Sequence, residues 1–328
     1  MNNSTGVTPR VTLGWGPLEL LNLAIALLGT LLNGGMILHL IFRKSTHTPF
    51  TVYLINLLLS NLVKTAGTSL ANALLYVSPV FHYSHAACDF YMMTSYFSMA
   101  GMIHTHVLIS CNRLWAVTYP HAYRTRHTTP VAVAACAGMW LYLAIMLLPQ
   151  LIRDSLYFRW PMELYNRCLL NIDAQRFLIT TMQLVVYVLP EMFVLVTFPL
   201  IWRKRKLTAQ RVAPTVTGKT VSKAVSRADT DSDGESLAPA AGTSGGSGKR
   251  RTRSMTVFVM LMVSMFICWT PLLLPTFVAC FVDFKSSAYF RVTTLLFTAE
   301  AIIDPVLFAL VFVDGVWRRV SRMFRFVS

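Results

Sequence analysis

Residues 130–152 read PVAVAACAGMWLYLAIMLLPQLI. The run carries no charged side chain. At 1.5 Å rise per residue it is long enough to cross the ~30 Å hydrocarbon core of a bilayer. Lipid offers backbone groups no hydrogen-bonding partner, so a run of this kind must be a helix. Comparable stretches lie near 18–42, 50–76, 87–112, 175–202, 255–282 and 288–313. None alternates at period two as the strands of a membrane barrel would. The whole chain agrees: 55% of its 328 residues are hydrophobic and 13% are charged, against about 25% charge in an ordinary soluble domain. The pattern predicts an all-α membrane protein, a seven-transmembrane helix bundle.

The 29 Lys and Arg are unevenly distributed between the two sides of such a bundle. With the N-terminus outside, Arg43, Lys44, Arg113, Arg124, Arg126, the runs at 203–206 and 249–253, and Arg318, Arg319, Arg322 and Arg325 all fall on the cytoplasmic side. That is the positive-inside asymmetry. The net charge of +15 therefore reads as topology and attraction to acidic membrane lipids. It does not read as nucleic-acid binding, because no basic stretch is interleaved with aromatic residues in a domain of its own. Residues 1–12 lack the charged start and short apolar core of a cleavable signal, so the first span is expected to direct its own insertion. Asn2-Asn3-Ser4 and Asn3-Ser4-Thr5 are overlapping glycosylation sequons, with Asn2 and Asn3 as acceptors if this end is outside.

The expected organisation is an extracellular N-terminus at 1–17 and a seven-helix domain at 18–313, followed by a tail at 314–328. Within the domain, 207–250 is rich in Ser, Thr, Gly, Ala and Pro. It cannot bury enough apolar surface to fold and is expected to be a disordered third intracellular loop. In the tail, Gly315 to Phe326 places basic and apolar residues at helical spacing, which suits a short amphipathic eighth helix on the inner leaflet. Cys88 at the start of the third span and Cys168 in the second outer loop both face an oxidising space, where a disulfide would pin that loop over the helix mouth. No Cys/His cluster has metal-ligand spacing, and His104 and His106, two apart on one helix, diverge.

These landmarks together resemble the rhodopsin-like (class A) G-protein-coupled receptors, and the resemblance covers all seven spans. Gly29-Thr30-Leu31-Leu32-Asn33 is similar to the family's first-helix pattern. Asn56-Leu57-Leu58-Leu59-Ser60-Asn61 resembles the second-helix Asn-Leu-x-x-x-Asp, with Asn61 in place of the acid. Asn112-Arg113-Leu114 resembles Asp-Arg-Tyr. Trp140 and Pro149 fit the fourth helix and Pro190 the fifth. Cys268-Trp269-Thr270-Pro271 matches Cys-Trp-x-Pro, and Asp304-Pro305-Val306-Leu307-Phe308 resembles Asn-Pro-x-x-Tyr with both ends altered.

The resemblance implies a plasma-membrane receptor that is not an enzyme and needs no cofactor. It implies an extracellular ligand and activation of heterotrimeric G proteins. Trp269 and Pro271 would form the pivot, with Met265 where the family usually has Phe. Asn112, Arg113, Leu114, Asp304, Pro305 and Phe308 would serve G-protein contact and activation. In the family, acids on the third and sixth helices hold the arginine at rest; here those positions are Asn112 and Arg251. Loss of both pairs suggests raised basal signalling, unless Asn112 hydrogen-bonds Arg113 and other contacts keep the bundle shut.

Asn33, Asn61, Lys64, Glu300 and Asp304 form an expected intramembrane polar network. Glu300 and Asp304, four apart, share a helix face. A pair between Lys64 and Glu300 or Asp304 would neutralise part of that charge, and this is favoured over the sodium site that the family often builds on the second-helix acid. Glu191 is a further buried acid without an obvious partner. Tyr91, Met92, Ser95, Tyr96, Trp269 and Thr298 are the candidate ligand contacts. Ser95 stands where amine receptors carry Asp, and Thr298 where opsins carry a retinal-binding lysine. A peptide or an acidic small molecule fits the mixed charges of the second outer loop. Arrestin is an expected partner through Ser and Thr in the third loop. The altered Arg113 and Phe308 motifs also admit a non-signalling receptor-like scaffold, and a transporter or channel is a further alternative.

Overall fold

Prolines and small hydroxyl side chains start the helices. Pro17, Pro49 and Pro130 occupy first-turn positions, where a missing N–H costs nothing. Thr48 Oγ1 accepts from the Thr51 N–H at 3.3 Å, and Ser84 Oγ accepts from the Ala87 N–H at 3.2 Å. A computed structural model of the chain describes residues 15–43, 48–78, 84–159, 168, 170–171, 174–212, 244–278 and 287–312.

Within these residues the chain is an all-α bundle. Helix α1 is Pro17–Phe42. Helix α2 runs through Pro49–Leu62, a π-wound Val63–Ser69 and Leu70–Val77. Helix α3 is His85–Thr118, followed by a short loop helix, Pro120–Arg126. Helix α4 is Thr129–Arg153, ending in a π turn at Asp154–Phe158. Helix α5 comprises Arg176–Met182, a π-wound Gln183–Val188 and Leu189–Val212. Helices α6 and α7 are Ser244–Val278 and Ser287–Phe312.

Helix α3 is the axis of the bundle and packs against α2, α4, α5 and α6, while α1 packs against α2 and α7, and α7 against α6. This position explains its composition. Ser98, His104, Thr105, His106, Ser110, Asn112 and Arg113 are all buried on it. Among the described residues, four helices are by themselves long and apolar enough to span a membrane, and α3 is not one of them. A helix packed against four others keeps only a narrow lipid-facing surface and can carry more polar residues. By contrast, α4 exposes Val133, Leu141 and Ile145, and α1 exposes Leu27 and Leu31, as lipid-facing helices do. Close approach at the centre is set by Gly101. A Cβ there would stand 2.7 Å from the Trp140 ring and 2.8 Å from Ser60 Oγ, closer than real side chains come.

Helix ends depart from the sequence reading at the loop expected to be disordered over 207–250. Helix α5 continues to Val212 and α6 begins at Ser244. Once a span has formed, each further residue adds a hydrogen bond without a new nucleus. The composition break thus does not coincide with the helix ends. Residues 213–243 lie outside the described residues, as do the sequons at Asn2 and Asn3 and the amphipathic segment Gly315 to Phe326.

Candidate functional site

Three polar clusters follow one another along the bundle. At one end, Cys88 of α3 and Cys168 are joined by a disulfide with Cα atoms 5.6 Å apart. Beside it, Arg159 donates to Asp154 Oδ2 at 2.8 Å and to Asp89 Oδ1 at 2.5 Å. Asp154 is fully buried. Its other oxygen accepts from the Asn171 N–H at 3.1 Å. A buried carboxylate is tolerated only when so paired. A cavity of about 220 Å³ opens between α3 and α4, lined by Asp89, Met92, Met93, Ser155, Leu156 and Arg159. Of the candidate ligand contacts it includes Met92 alone. Tyr91, Ser95 and Tyr96 are half-buried, Thr298 and Trp269 are buried, and the Tyr96 carbonyl accepts from the Tyr187 hydroxyl at 3.1 Å.

The middle cluster joins α1, α2, α3, α6 and α7. Asn33 Nδ2 donates to the Gly29 and Ala301 carbonyls at 2.8 and 2.7 Å. Asn61 Nδ2 donates to Asp304 Oδ2 at 3.0 Å. The amide on α2 and the carboxylate on α7 therefore face each other, the acid standing on the opposite helix from the family pattern. Asn56, from the same second-helix motif, ties α3 and α4 instead: it donates to Thr105 Oγ1 at 2.7 Å and accepts from the Trp140 indole at 2.9 Å.

Lys64 does not pair as expected. Its Nζ lies 4.2 Å from the centroid of the Phe297 ring, a cation–π contact, and it makes no ion pair with Glu300 or Asp304. Lys64 stands in the π-wound segment Val63–Ser69. Glu300 instead accepts a hydrogen bond from the Trp269 indole N–H, and His106 Nε2 stands 3.5 Å from its other oxygen. Phe297 packs edge-on to Trp269 with centroids 4.8 Å apart. Met265 and Trp269 are fully buried, Pro305 is buried, and Pro271 is half-buried. Glu191, without a partner on sequence grounds, accepts from Thr270 Oγ1 on α6 at 2.9 Å.

At the Arg113 end, the guanidinium carbon lies 3.5 Å from the centroid of the Phe50 ring on α2. Arg113 Nε and one terminal nitrogen have no hydrogen-bond partner. Asn112 does not bond to Arg113. It donates to His127 Nε2 at 2.8 Å and accepts from the Tyr123 hydroxyl at 3.2 Å. The Tyr53 hydroxyl reaches the same His127 nitrogen at 3.2 Å, and Tyr123 and Tyr53 stack on the His127 ring at 4.6 and 5.9 Å. Burial pushes the His127 imidazole below its ordinary range, and the positive charge of Arg113 adds to this. A cavity of about 170 Å³ beneath is lined by Arg113, Val117, Pro120, Tyr123, Arg124 and Arg205. Leu114 is half-buried against the core. The side chain of Arg251 lies outside the described residues; the like charges lining the cavity with Arg113 are Arg124 and Arg205, the latter on α5. Phe308 is fully buried in the apolar core.

Phe50, Tyr53, Tyr123, His127 and Arg205 were not among the sequence candidates. An aromatic residue at a span end reads as a lipid anchor, and a loop histidine has no phase to place it. The one available signal is the density of aromatic and imidazole side chains across Trp115, Tyr119, His121, Tyr123 and His127. His106, dismissed on its spacing from His104, meets α7 across the bundle, where spacing within one helix carries no information.

The chain belongs to the 7 transmembrane receptor (rhodopsin family), whose profile matches residues 32–308. It is 30% identical to a G-protein coupled receptor homolog of Fowlpox virus (strain NVSL) over 32% of this chain and 34% of that protein. It is 26% identical to the Substance-K receptor of Mesocricetus auratus over 45% of this chain and 39% of the relative. It is 22% identical to 5-hydroxytryptamine receptor 1B of Cavia porcellus over 65% and 54%. The chain thus spans between a third and just over half of the length of these relatives.

Proposed function

We propose that the protein is a plasma-membrane receptor that carries an extracellular signal to heterotrimeric G proteins, and that Arg113 is its G-protein contact. In this reading the disulfide end faces outward and the Arg113 end faces the cytoplasm. The observation that carries it is the buried Arg113, poised on Phe50 above a cavity shared with Arg124 and Arg205. Trp269 and Pro271 on α6 act as the pivot. Proline removes a helical hydrogen bond and permits a kink, and the Trp269 indole, bonded to Glu300, links that kink to α7. The ligand is a peptide or an acidic small molecule that enters from the disulfide end.

The resting state is held by an aromatic face in place of two ion pairs, with Arg205 adding like charge beside Arg113. A partly exposed ion pair is worth on the order of 1 kcal/mol, so raised basal activity follows from losing two. Comparing wild type with Asn112→Asp in a panel of G-protein activation assays without ligand, matched for surface expression, tests this. The expected result is a clear wild-type signal that Asn112→Asp lowers; equal, low signals reject raised basal activity. Silence across the panel and across a broad ligand set favours the non-signalling scaffold, which the hydroxyl-free Phe308 supports. Ion flux without G-protein activation favours a transporter or channel.

A further inference from the structure

The middle cluster holds more acceptor atoms than its protein partners satisfy. His106 on α3 and Glu300 and Asp304 on α7 each offer one ligand atom, and these atoms lie within 4.8 Å of one another. All three side chains are fully buried. Glu300 and Asp304, four apart, project from one face of α7, and α3 brings the imidazole to meet them. Trp269 satisfies one oxygen of Glu300 and Asn61 one oxygen of Asp304. Glu300 Oε1, Asp304 Oδ1 and both ring nitrogens of His106 have no hydrogen-bond partner. The ammonium that could have neutralised them, Lys64, sits on the Phe297 ring instead. Two carboxylates in the interior of a membrane bundle are protonated, paired or bound to a cation.

We propose that His106, Glu300 and Asp304 bind a transition-metal dication of the zinc class. A neutral imidazole with carboxylates is a zinc donor set. Calcium and magnesium ask for six or more oxygen ligands or for near-octahedral oxygen geometry, which an imidazole and two carboxylates do not supply. Zinc bonds of about 2.0–2.2 Å set tetrahedral ligand atoms about 3.4 Å apart. The His106 to Glu300 separation of 3.5 Å already has that scale, and all three ligand atoms lie within 4.8 Å of one another. A dication balances both carboxylates. It also bridges α3 to α7 and, through Glu300, fixes the Trp269 indole. That last consequence rests on Trp269 being the pivot; metal binding does not, and it is read directly.

The test uses full-length receptor in lipid nanodiscs, purified without a histidine tag and stripped with chelator. Titration with Co²⁺ should give one equivalent of visible absorption from a nitrogen and oxygen site, displaced by Zn²⁺. Zn²⁺ at about a hundredfold its dissociation constant should raise the unfolding midpoint by about 5 °C, and Mg²⁺ or Na⁺ should not. His106→Ala and Asp304→Asn should each abolish the absorption and the shift. Among the described residues, the exposed donors His85, His121 and Cys111 are the competing source. A His85→Ala, His121→Ala, Cys111→Ser variant should keep the signal, which decides the matter even where the core variants fail to fold. No absorption in wild type, binding that persists in folded His106→Ala, loss of binding in the surface variant, or an equal shift with Na⁺ each overturns the proposal.

Discussion

The guanidinium of Arg113 rests 3.5 Å from the centroid of the Phe50 ring, so an arginine buried at a helix end is held by an aromatic face on α2. A desolvated contact of this kind is worth about 1–2 kcal/mol. Phe50→Ala should therefore release the guanidinium and raise ligand-free G-protein activation about fivefold at matched surface expression. Phe50→Tyr, which keeps the ring face, should stay near wild type. If both substitutions leave the basal signal unchanged, the contact does not hold the resting state.

Asn61 and Asp304 face each other across α2 and α7 at 3.0 Å, which makes them suited to a swap. Asn61→Asp alone sets two carboxylates side by side and should lower the unfolding midpoint by several degrees. Adding Asp304→Asn restores one amide and one acid, so the double variant should recover most of the loss. The expected coupling is about 1–3 kcal/mol. Thermal unfolding of purified wild type, both single variants and the double variant measures it, and strictly additive effects would show that the two side chains do not interact.

The sequence made the bundle legible because length and apolarity act locally. The run at 130–152 and the helix Thr129–Arg153 nearly coincide, and the Cys88–Cys168 bridge joins the two cysteines expected to face an oxidising space. Asn61 and Asp304 were both expected in one intramembrane network, and they meet there. What escaped depends on contact across helices. Lys64 met the Phe297 ring of α7 instead of the carboxylates. His106 met Glu300 from another helix. Phe50 lies on α2, and neither its identity nor its position in the span marks it as the partner of Arg113.

His127 predicts a pH dependence of stability. Its Nε2 accepts from Asn112 at 2.8 Å and meets the Tyr53 hydroxyl at 3.2 Å, an arrangement that requires the neutral ring. Burial first, then Arg113, holds the folded imidazole below the ordinary histidine range. The unfolded chain therefore takes up a proton more readily than the folded one. This contribution to stability is intact above about pH 6.5 and is lost as pH falls from there toward the folded value. His127→Gln keeps a side chain able to hydrogen-bond but does not titrate. Unfolding midpoints of the two proteins should diverge below pH 6.5, with wild type falling more steeply. Parallel curves would mean that His127 does not titrate on unfolding.

Arg159 and Asp154 test the other end of the bundle. Their side chains are 5% and 0% exposed and 2.8 Å apart, whereas the Asp89 side chain, the second partner of Arg159, is 38% exposed. Arg159→Ala leaves the Asp154 carboxylate buried without its cation and should cost about 3–5 kcal/mol. In cells that should appear as loss of most surface-delivered receptor. Asp89→Ala removes a partly solvated partner and should cost at most about 1 kcal/mol, with surface delivery near wild type. Asp154→Asn in the Arg159→Ala background removes the stranded charge and should recover part of the loss. Surface labelling of the four proteins ranks them. Asp89→Ala as damaging as Arg159→Ala would place the structural weight on the exposed pair instead.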